Sequence, residues 1–260
     1  TKMIDFFAII ICFLAGMGAG IGTGFAGMSA AAVISPMLIA FLDMDPYLAV
    51  GIALASDVLA SAASAVTYGK NKNLDIKNGL IMMASVLCFT AVGSFVASVV
   101  PKTAMGNFSV IMTLLLGVKF IVKPVVAPKR RLTEATTAQK AVRSVLCGSA
   151  VGFICGFVGA GGGMMMLLVL TSVLGYELKT AVGTSVFIMS ITALTGSVSH
   201  FVIGGMPDTE AFIICIVSTL AAAQLSAVFA NKASPKTLNR ITGAILVALG
   251  IAVLVVNHVS

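Results

Sequence analysis

Residues 144–176 read SVLCGSAVGFICGFVGAGGGMMMLLVLTSVLGY, an apolar stretch without a charged side chain and with a cluster of glycines at its centre. About 20 apolar residues suffice for a helix to cross the hydrocarbon core of a bilayer, and this stretch is longer. Four other stretches are equally free of charge: residues 6–42, 78–101, 180–207 and 211–231. A membrane β-barrel would instead alternate apolar and polar residues over segments of about 10. The sequence therefore predicts an all-α, polytopic integral membrane protein.

Composition and the distribution of charge favour the same class. Hydrophobic residues make up 59% of the chain and charged residues 10%, and the mean hydropathy is +1.11, whereas soluble domains average about 25% charged residues. The net charge is +7, and one short region carries many of the positive residues: Lys119, Lys123, Lys129, Arg130, Arg131, Lys140 and Arg143. Such clustering is typical of a cytoplasmic loop under the positive-inside rule, so we expect no nucleic-acid partner.

An internal duplication divides the chain. When the sequence is shifted by 132 positions, four residues of the first half fall on identical residues of the second: Gly20, Gly24, Phe25 and Gly27 on Gly152, Gly156, Phe157 and Gly159. The sequence thus predicts a first membrane repeat at 1–122, a basic cytoplasmic linker at 123–143 and a second membrane repeat at 144–260.

Each repeat contains five apolar segments. They lie near 5–26, 28–42, 46–69, 78–100 and 103–122 in the first half, and near 144–159, 161–175, 179–203, 210–231 and 237–257 in the second. The second segment of each half is short for a full crossing. It either spans a thin part of the bilayer or forms a membrane-dipping hairpin with the first segment.

Loop charges predict that the two repeats have inverted topology. The loop after the third segment carries Lys70, Lys72 and Lys77 in the first half, whereas its counterpart at 204–210 carries two acids and no positive residue. By the positive-inside rule, equivalent loops then lie on opposite sides of the membrane, with the linker cytoplasmic and both termini outside. Inverted repeats are an architecture of transporters, whose substrate site lies near the midplane between the halves.

The glycines allow two interpretations. Gly16, Gly20 and Gly24, and likewise Gly148, Gly152 and Gly156, have the spacing of close helix packing in membranes. The tighter cluster 159–163 makes a continuous helix costly, at about 1 kcal/mol for each glycine relative to alanine, and predicts a break. The GxGxxG sequence at 22–27 lacks the strand and soluble domain of a dinucleotide site, so we expect no cofactor.

A helix that restarts inside the membrane presents unpaired N–H groups and a partial positive charge, which together form an anion site. In the first half the restart falls at Met28–Ser29, where the Ser29 hydroxyl is expected to cap the helix or join the ligand. The predicted substrate-binding residues are Gly27, Met28, Ser29, Gly159, Gly161, Gly162, Gly163, Met164, Thr184, Ser185 and Gln224.

Asp57 is the only acid well inside an apolar segment, which makes it a functional candidate. It forms a stripe on one helix face with Ser61, Ser64 and Tyr68. We interpret Asp57 and Ser61 as a proton- or cation-coupling site or as residues that orient the substrate site; the alternative is a partner for a lysine or a helix end. The cysteine and histidine spacings predict no metal site.

Two stretches carry a resemblance to a known family. GFVGAGGGMMMLLVLTSVLGYELKTAVGTS (156–185) and GFAGMSAAAVISPMLIAFLDMDPYLAVGIA (24–53) both open with GF[AV]G and both contain AVG. In these features the chain resembles the sulfite exporter TauE/SafE family over nearly its whole length. The resemblance implies export of sulfite or a small organosulfonate across a bacterial cytoplasmic (inner) membrane. The first half departs from the pattern, because Ser29-Ala30-Ala31 stand where more glycine is usual.

The leading hypothesis is an anion exporter that works by alternating access, with a small sulfur-containing anion and the lipid bilayer as its partners. An anion channel is the alternative, since glycine-broken helices also line pores. We expect no enzyme, because no His–acid, Cys–His or Ser–Lys constellation is present. The oligomeric state is left open.

Overall fold

The computed structural model describes residues 6–97, 115, 118–119, 121–123, 137–158 and 162–259, and these residues form helices and connecting loops without a strand. Nine helices are described: α1 (Phe6–Ala26), α2 (Ala31–Leu42), α3 (Pro46–Lys70), α4 (Ile76–Ala97), α5 (Thr137–Val158), α6 (Gly162–Leu168), α7 (Leu178–Gly204), α8 (Thr209–Lys232) and α9 (Pro235–Val259). A π-helical turn, Val169–Val173, continues α6. The predicted all-helical fold is confirmed.

Four of the described helices are long and apolar enough to cross a membrane: Phe6–Ala26, Leu48–Lys70, Leu178–Val198 and Thr209–Lys232. The predicted segments agree with the observed helices to within a few residues, with one larger difference. α5 begins at Thr137, so its first two turns lie within the predicted linker. The Ala, Gln, Lys and Arg residues there are good helix formers and extend the helix out of the apolar segment. The predicted fifth segment, 103–122, falls mostly outside the described residues.

The first two helices form a hairpin. The chain turns at Gly27, whose φ of +60° is readily adopted by glycine. Gly18 on α1 then faces Val33 on α2, where a methyl group on Gly18 would lie 3.6 Å from Val33 Cγ1. Because these residues lie on either side of the turn, α2 runs back along α1. In the first half the two segments thus form a hairpin, and whether α2 crosses a thin part of the bilayer or only dips into it stays a prediction.

The short helices have the right length to start near the middle of a bilayer. α2 has 12 residues, which at about 1.5 Å per residue span about 18 Å, close to half of the hydrocarbon thickness of about 30 Å. In the second half, α6 and its π turn together cover a similar stretch and contact α5. Residues 159–161, where the predicted second break falls, lie outside the described residues.

Glycines bring helices of the two halves into close contact. Gly16, Gly20 and Gly24 of α1 pack against α8, where a methyl group on Gly20 would lie 2.7 Å from Ala222 Cβ. Gly148 and Gly152 of α5 pack against α4 in the same way. The predicted packing role of these five glycines is confirmed. The surroundings of Gly156 lie outside the described part of the chain.

The α3–α4 loop and its counterpart between α7 and α8 lie at opposite ends of the bundle. Asn73 in the first loop contacts Asn231 near the end of α8, whereas residues 205–208 precede the start of the same 24-residue helix. We call the end with Asn73 the basic end, because a group of positive residues lies there: Lys70, Lys72, Lys179, Lys232 and Lys236. This placement agrees with inverted topology, which stays a prediction because residues 98–114 lie outside the described residues.

The contact between α1 and α8 generates a prediction about two nearby glycines. Gly20→Ala is expected to lower the free energy of unfolding by about 1–3 kcal/mol, because the new methyl group overpacks against Ala222 and the backbone of Ala223. Gly18→Ala is the matched control: its methyl group has ordinary contact distance and α-helix propensity favours alanine by about 1 kcal/mol. Thermal unfolding of the purified proteins in detergent measures both. Equal melting temperatures for the two variants would contradict the packing described.

Candidate functional site

The end of α1 is closed by hydroxyl groups from distant parts of the chain. The last carbonyls of a helix have no partner within the helix, and here each of three is reached by a side chain. Tyr68 Oη donates to the Gly24 carbonyl at 2.8 Å, Thr242 Oγ1 to the Phe25 carbonyl at 3.2 Å, and Ser185 Oγ to the Gly27 carbonyl at 2.7 Å. Since Thr242 and Ser185 belong to the second half, both halves complete this helix end.

Thr23 supports the turn from within α1. Its hydroxyl lies 3.0 Å from the carbonyl oxygens of Ala19 and Met28 and can donate to either. The N–H of Gly27 in turn donates to the Thr23 carbonyl at 2.9 Å. The chain therefore leaves the helix in a fixed direction, and the carbonyls of the turn are satisfied without water.

The start of α2 presents backbone donors. Ser29 Oγ accepts from the N–H of Ala31 at 3.3 Å, next to the N-cap residue Ala30, which makes no side-chain cap bond; whether Ser29 caps the helix or joins the ligand stays a prediction. Within the described part of the chain, the N–H groups of Met28 and Ser29 have no hydrogen-bond acceptor, whereas the Ala30 N–H lies against the Asp57 carboxylate. These donors and the helix dipole make the start of α2 favourable for negative charge.

The start of α6 touches the start of α2. A methyl group on Gly163 would lie 2.5 Å from the backbone N of Ser29 and 2.8 Å from Met28 Cα, so only glycine allows this approach of two backbones. The two predicted restart points, one from each half, are thus in direct contact. Each restart is predicted separately from the sequence, which carries no information on the distance between them.

A buried carboxylate lies at the same place. Asp57, in the middle of α3, is 0% exposed. Its Oδ1 accepts from Ser61 Oγ at 2.7 Å, and its carboxylate lies beside the Ser29 hydroxyl and the Ala30 N–H. Its Oδ2 has no hydrogen-bond partner in the described structure. The predicted stripe is confirmed as a buried face, because Ser61, Ser64 and Tyr68 are also 0% exposed.

The structure brings together some of the predicted substrate-binding residues and separates others. Those that meet at the contact of α2 and α6 are Gly27, Met28, Ser29, Gly163 and Ser185, with Asp57 and Ser61 next to them. Gly162 and Met164 lie in the first turn of α6. Gly159 and Gly161 fall outside the described residues.

Thr184 and Gln224 take part in other contacts. Thr184 Oγ1 accepts from the N–H of Asp75 at 3.2 Å, in the α3–α4 loop, and Gln224 Oε1 accepts from Thr67 Oγ1 at 3.1 Å, between α8 and α3. Their role in substrate binding stays a prediction, and the geometry places both side chains outside the cluster formed by Ser29, Gly163 and Asp57.

Three residues at the helix end were missed as site residues. Thr23 and Thr242 each look like one more hydroxyl in an apolar segment, and such hydroxyls often bond only to their own helix. Tyr68 was noticed as part of the stripe, but its spacing does not reveal the carbonyl that it reaches. The sequence signal for Tyr68 is its position at the end of the polar stripe, two residues before Lys70.

Polar contacts at the basic end join the α3–α4 loop to the second half, and a further contact joins α7 to α8. Tyr176 Oη donates to Asp75 Oδ2 at 2.7 Å, Asn73 Nδ2 to Asn231 Oδ1 at 2.7 Å, and Lys179 Nζ to the Asn231 carbonyl at 2.8 Å. Burial, reinforced by the Asp75 carboxylate, raises the pKa of the Tyr176 phenol above its ordinary value. The phenol therefore stays protonated and keeps donating. These contacts hold the α3–α4 loop against α7 and α8.

Within the described residues, no three His, Cys, Asp or Glu side chains lie close enough together to hold a metal ion. The groups at the start of α2 are backbone N–H donors, hydroxyl groups and the carboxylate of Asp57. Such a set can bind an anion through N–H and O–H groups and can bind or release a proton at Asp57.

Comparison with known proteins places the chain among membrane transporters. The family model described as "Sulfite exporter TauE/SafE" matches residues 12–253. Among similar proteins, the "Probable membrane transporter protein YunE" of Bacillus subtilis (strain 168) is 25% identical, over 94% of this chain and 96% of the relative. The "Probable membrane transporter protein MJ0441" of Methanocaldococcus jannaschii is 26% identical, over 95% of this chain and 94% of the relative.

The closure of α1 by hydroxyls of the second half generates a stability prediction. Ser185→Ala is expected to cost about 1–3 kcal/mol of unfolding free energy, because the buried Gly27 carbonyl loses its donor. Ser149→Ala is the control, since Ser149 donates only to a carbonyl of its own helix and surface changes cost about 0.5 kcal/mol or less. Thermal unfolding in detergent compares the two. A Ser185 variant as stable as the control would show that this bond does not hold the helix end.

Proposed function

The chain belongs to the sulfite exporter TauE/SafE family, and we propose that it exports sulfite or a small organosulfonate across a bacterial inner membrane by alternating access. The observation that carries the proposal is the contact between Gly163 and the backbone of Met28 and Ser29. It brings the starts of two short helices, one from each half, to one point inside a multi-pass helical protein.

The chemistry of this point suits a sulfur oxyanion. Sulfite and sulfonate groups carry three oxygens that accept hydrogen bonds. The N–H groups of Met28 and Ser29 are donors without an acceptor in the described structure, and the Ala30 N–H lies beside the Asp57 carboxylate. Anion binding at helix starts needs no cationic side chain, because the helix dipole places about half a positive charge there. A site built from backbone groups recognises the oxyanion head and leaves the rest of the substrate unspecified.

The arrangement of the helices supports alternating access. Each half contributes a hairpin, and the glycine-lined contacts of α1 with α8 and of α5 with α4 join each hairpin to a helix of the other half. In inverted-repeat transporters, one such unit rocks against the other around a fixed site near the midplane. In this proposal, the polar contacts at the basic end, such as Tyr176 with Asp75, block the path of the substrate to that side of the membrane. They break when the path opens.

The membrane potential favours export. We place the basic end in the cytoplasm by the positive-inside rule. With a negative cytoplasm, each net negative charge that leaves gains about 2.3 kcal/mol per 100 mV. A carrier that moves net negative charge therefore works outward without a further energy source.

Counterflow in proteoliposomes tests the proposal. Vesicles that contain the purified protein and unlabelled sulfite are expected to accumulate labelled sulfite transiently, with saturation at high external concentration. A carrier with a site exposed to one side at a time gives this behaviour, whereas an anion channel gives flux without counterflow. If neither sulfite nor a short sulfonate moves faster than in empty vesicles, the substrate assignment is wrong.

A variant links this activity to the contact between the helix starts. Gly163→Ala forces the α2 and α6 backbones apart, and we expect it to weaken sulfite binding by about tenfold or more, equivalent to about 1.4 kcal/mol. Gly18→Ala, which meets only ordinary contacts on the same hairpin as Ser29, is the control and should bind sulfite as the unmodified protein does. Thermal-shift titration with sulfite measures both. Unchanged affinity in the Gly163 variant would place the site elsewhere.

A further inference from the structure

The start of α2 already has a negative group beside it. Asp57 is fully buried, its carboxylate lies beside the Ser29 hydroxyl and the Ala30 N–H, and its Oδ2 has no hydrogen-bond partner in the described structure. An ionised carboxylate at this position is itself an anion at a helix start, and it occupies the donors that a transported anion needs. The unpartnered oxygen is a buried acceptor that lacks a donor, and a proton on it would make it a donor itself.

Within the described helices that pack against α3, the charged residues lie away from the middle, where Asp57 lies. α3 packs against α1, α2, α7 and α8, and α1 and α2 contain no charged residue. The titratable residues of the other packed helices and of α3 itself lie near helix ends: Tyr47, Lys70, Lys179, His200, Glu210 and Lys232. The thiols of Cys12 and Cys215 lie at the contact of α1 with α8, and the Tyr68 phenol donates to the Gly24 carbonyl.

Two negative charges at one helix start therefore have only backbone dipoles and hydroxyls to stabilise them. Like charges that share a buried site cannot both stay ionised at moderate pH, and one of them takes up a proton. Sulfonates are much weaker bases than a carboxylate, so the proton goes to Asp57. Once protonated, Asp57 has an O–H group that can donate to the anion instead of repelling it.

From this geometry we propose that Asp57 is the proton site of the transporter: it binds a proton when an anion occupies the start of α2 and releases it when the anion leaves. The proposal rests on the proposed function, because it assigns the coupling ion of the same site. It implies that one proton travels with each sulfonate, which then crosses without net charge. Divalent sulfite is a stronger base than a carboxylate and takes the shared proton itself, so the proton site at Asp57 applies to sulfonates.

Three buried hydroxyl residues lie on the same face of α3 as Asp57. Ser61 bonds to Asp57 Oδ1, and Ser64 is fully buried with an Oγ that has no partner in the described structure. Tyr68, one turn further toward the basic end, donates to the Gly24 carbonyl. Because Ser64 is bonded to neither neighbour, these hydroxyls form no continuous hydrogen-bonded chain from Asp57 to the basic end within the described residues.

Proteoliposomes loaded with a pH-sensitive dye and methanesulfonate test the coupling. Methanesulfonate is chosen because its own charge is constant over the pH range in which a carboxylate titrates. In the unmodified protein, its efflux is expected to carry one proton per anion, to respond to an imposed pH gradient and to ignore an imposed membrane potential. Its affinity is expected to fall about tenfold for each unit of rising pH once Asp57 is ionised in the empty site.

Asp57→Asn removes the proton site and keeps the shape of the side chain. The variant is expected to move methanesulfonate without protons, with an affinity independent of pH and a flux that responds to the membrane potential. Asp43→Asn is the matched control: it makes the same chemical change at an exposed residue after α2, in a left-handed conformation that Asn also adopts. It should behave as the unmodified protein does.

Infrared spectroscopy of the unmodified protein gives a second measurement that does not require the variant to fold. Adding methanesulfonate at a pH where Asp57 is ionised should increase the C=O band of a protonated carboxylic acid. Asp57→Glu, which keeps the carboxyl group and changes its surroundings, should shift that band and so assign it. An unchanged carboxyl band on anion binding would overturn the proposal.

The outcomes separate this proposal from the proposed function. Anion flux without proton movement in the unmodified protein, proton movement that persists in Asp57→Asn, or a folded Asp57→Asn that binds no anion would each overturn the role of Asp57 alone. Dependence of flux on Na⁺ in place of pH would do the same. If the unmodified protein neither binds nor moves any sulfur anion, the proposed function itself fails.

Discussion

The structure depends on hydrogen bonds to the backbone carbonyl groups where α1 ends. An unsatisfied N–H or C=O inside a bilayer costs several kcal/mol, and irregular backbone is tolerated there only when protein groups or a wet cavity complete it. Here Tyr68, Ser185 and Thr242 supply three of the missing donors. Two of these hydroxyls come from the second half, so the end of the first hairpin has its full set of donors only when both halves are packed together.

Glycines allow the two halves to pack closely at two places, along α1 and at the start of α6. Along α1, glycines such as Gly20 let the helix approach α8 until backbone meets side chain, which aligns the helix end with its distant donors. At the tip, Gly163 lets the start of α6 reach the backbone of Ser29. A side chain at Gly20 would loosen the contact of α1 with α8, and a side chain at Gly163 would separate the starts of α2 and α6. The same residue type thus serves packing in one place and the site in the other.

The parts of this structure that have a local cause are predictable from the sequence. Charge-free length predicted the helices, and glycine spacing predicted the contact of Gly20 and its neighbours with another helix. The break at 159–163 is predictable from the cost of glycine in a helix, and the restart at Ser29 from its place as the counterpart of that break in the first half. The contact of Ser29 with Gly163 and the donor role of Thr242 were not predictable, because they depend on which segments meet in three dimensions. Thr184 ranked high only because of its place after AVG, and spacing along one helix does not say which neighbour a hydroxyl reaches.

The two halves differ in charge at the position of Asp57. With the shift of 132 positions this residue falls on Met189, which is buried and carries no charge. A duplicated transporter with an acid in both halves would hold two negative charges near one anion site, and binding would then require two protons or fail. With a single acid, one proton is enough. On the proposed role of Asp57, this difference from Met189 is what would let one anion and one proton share the site.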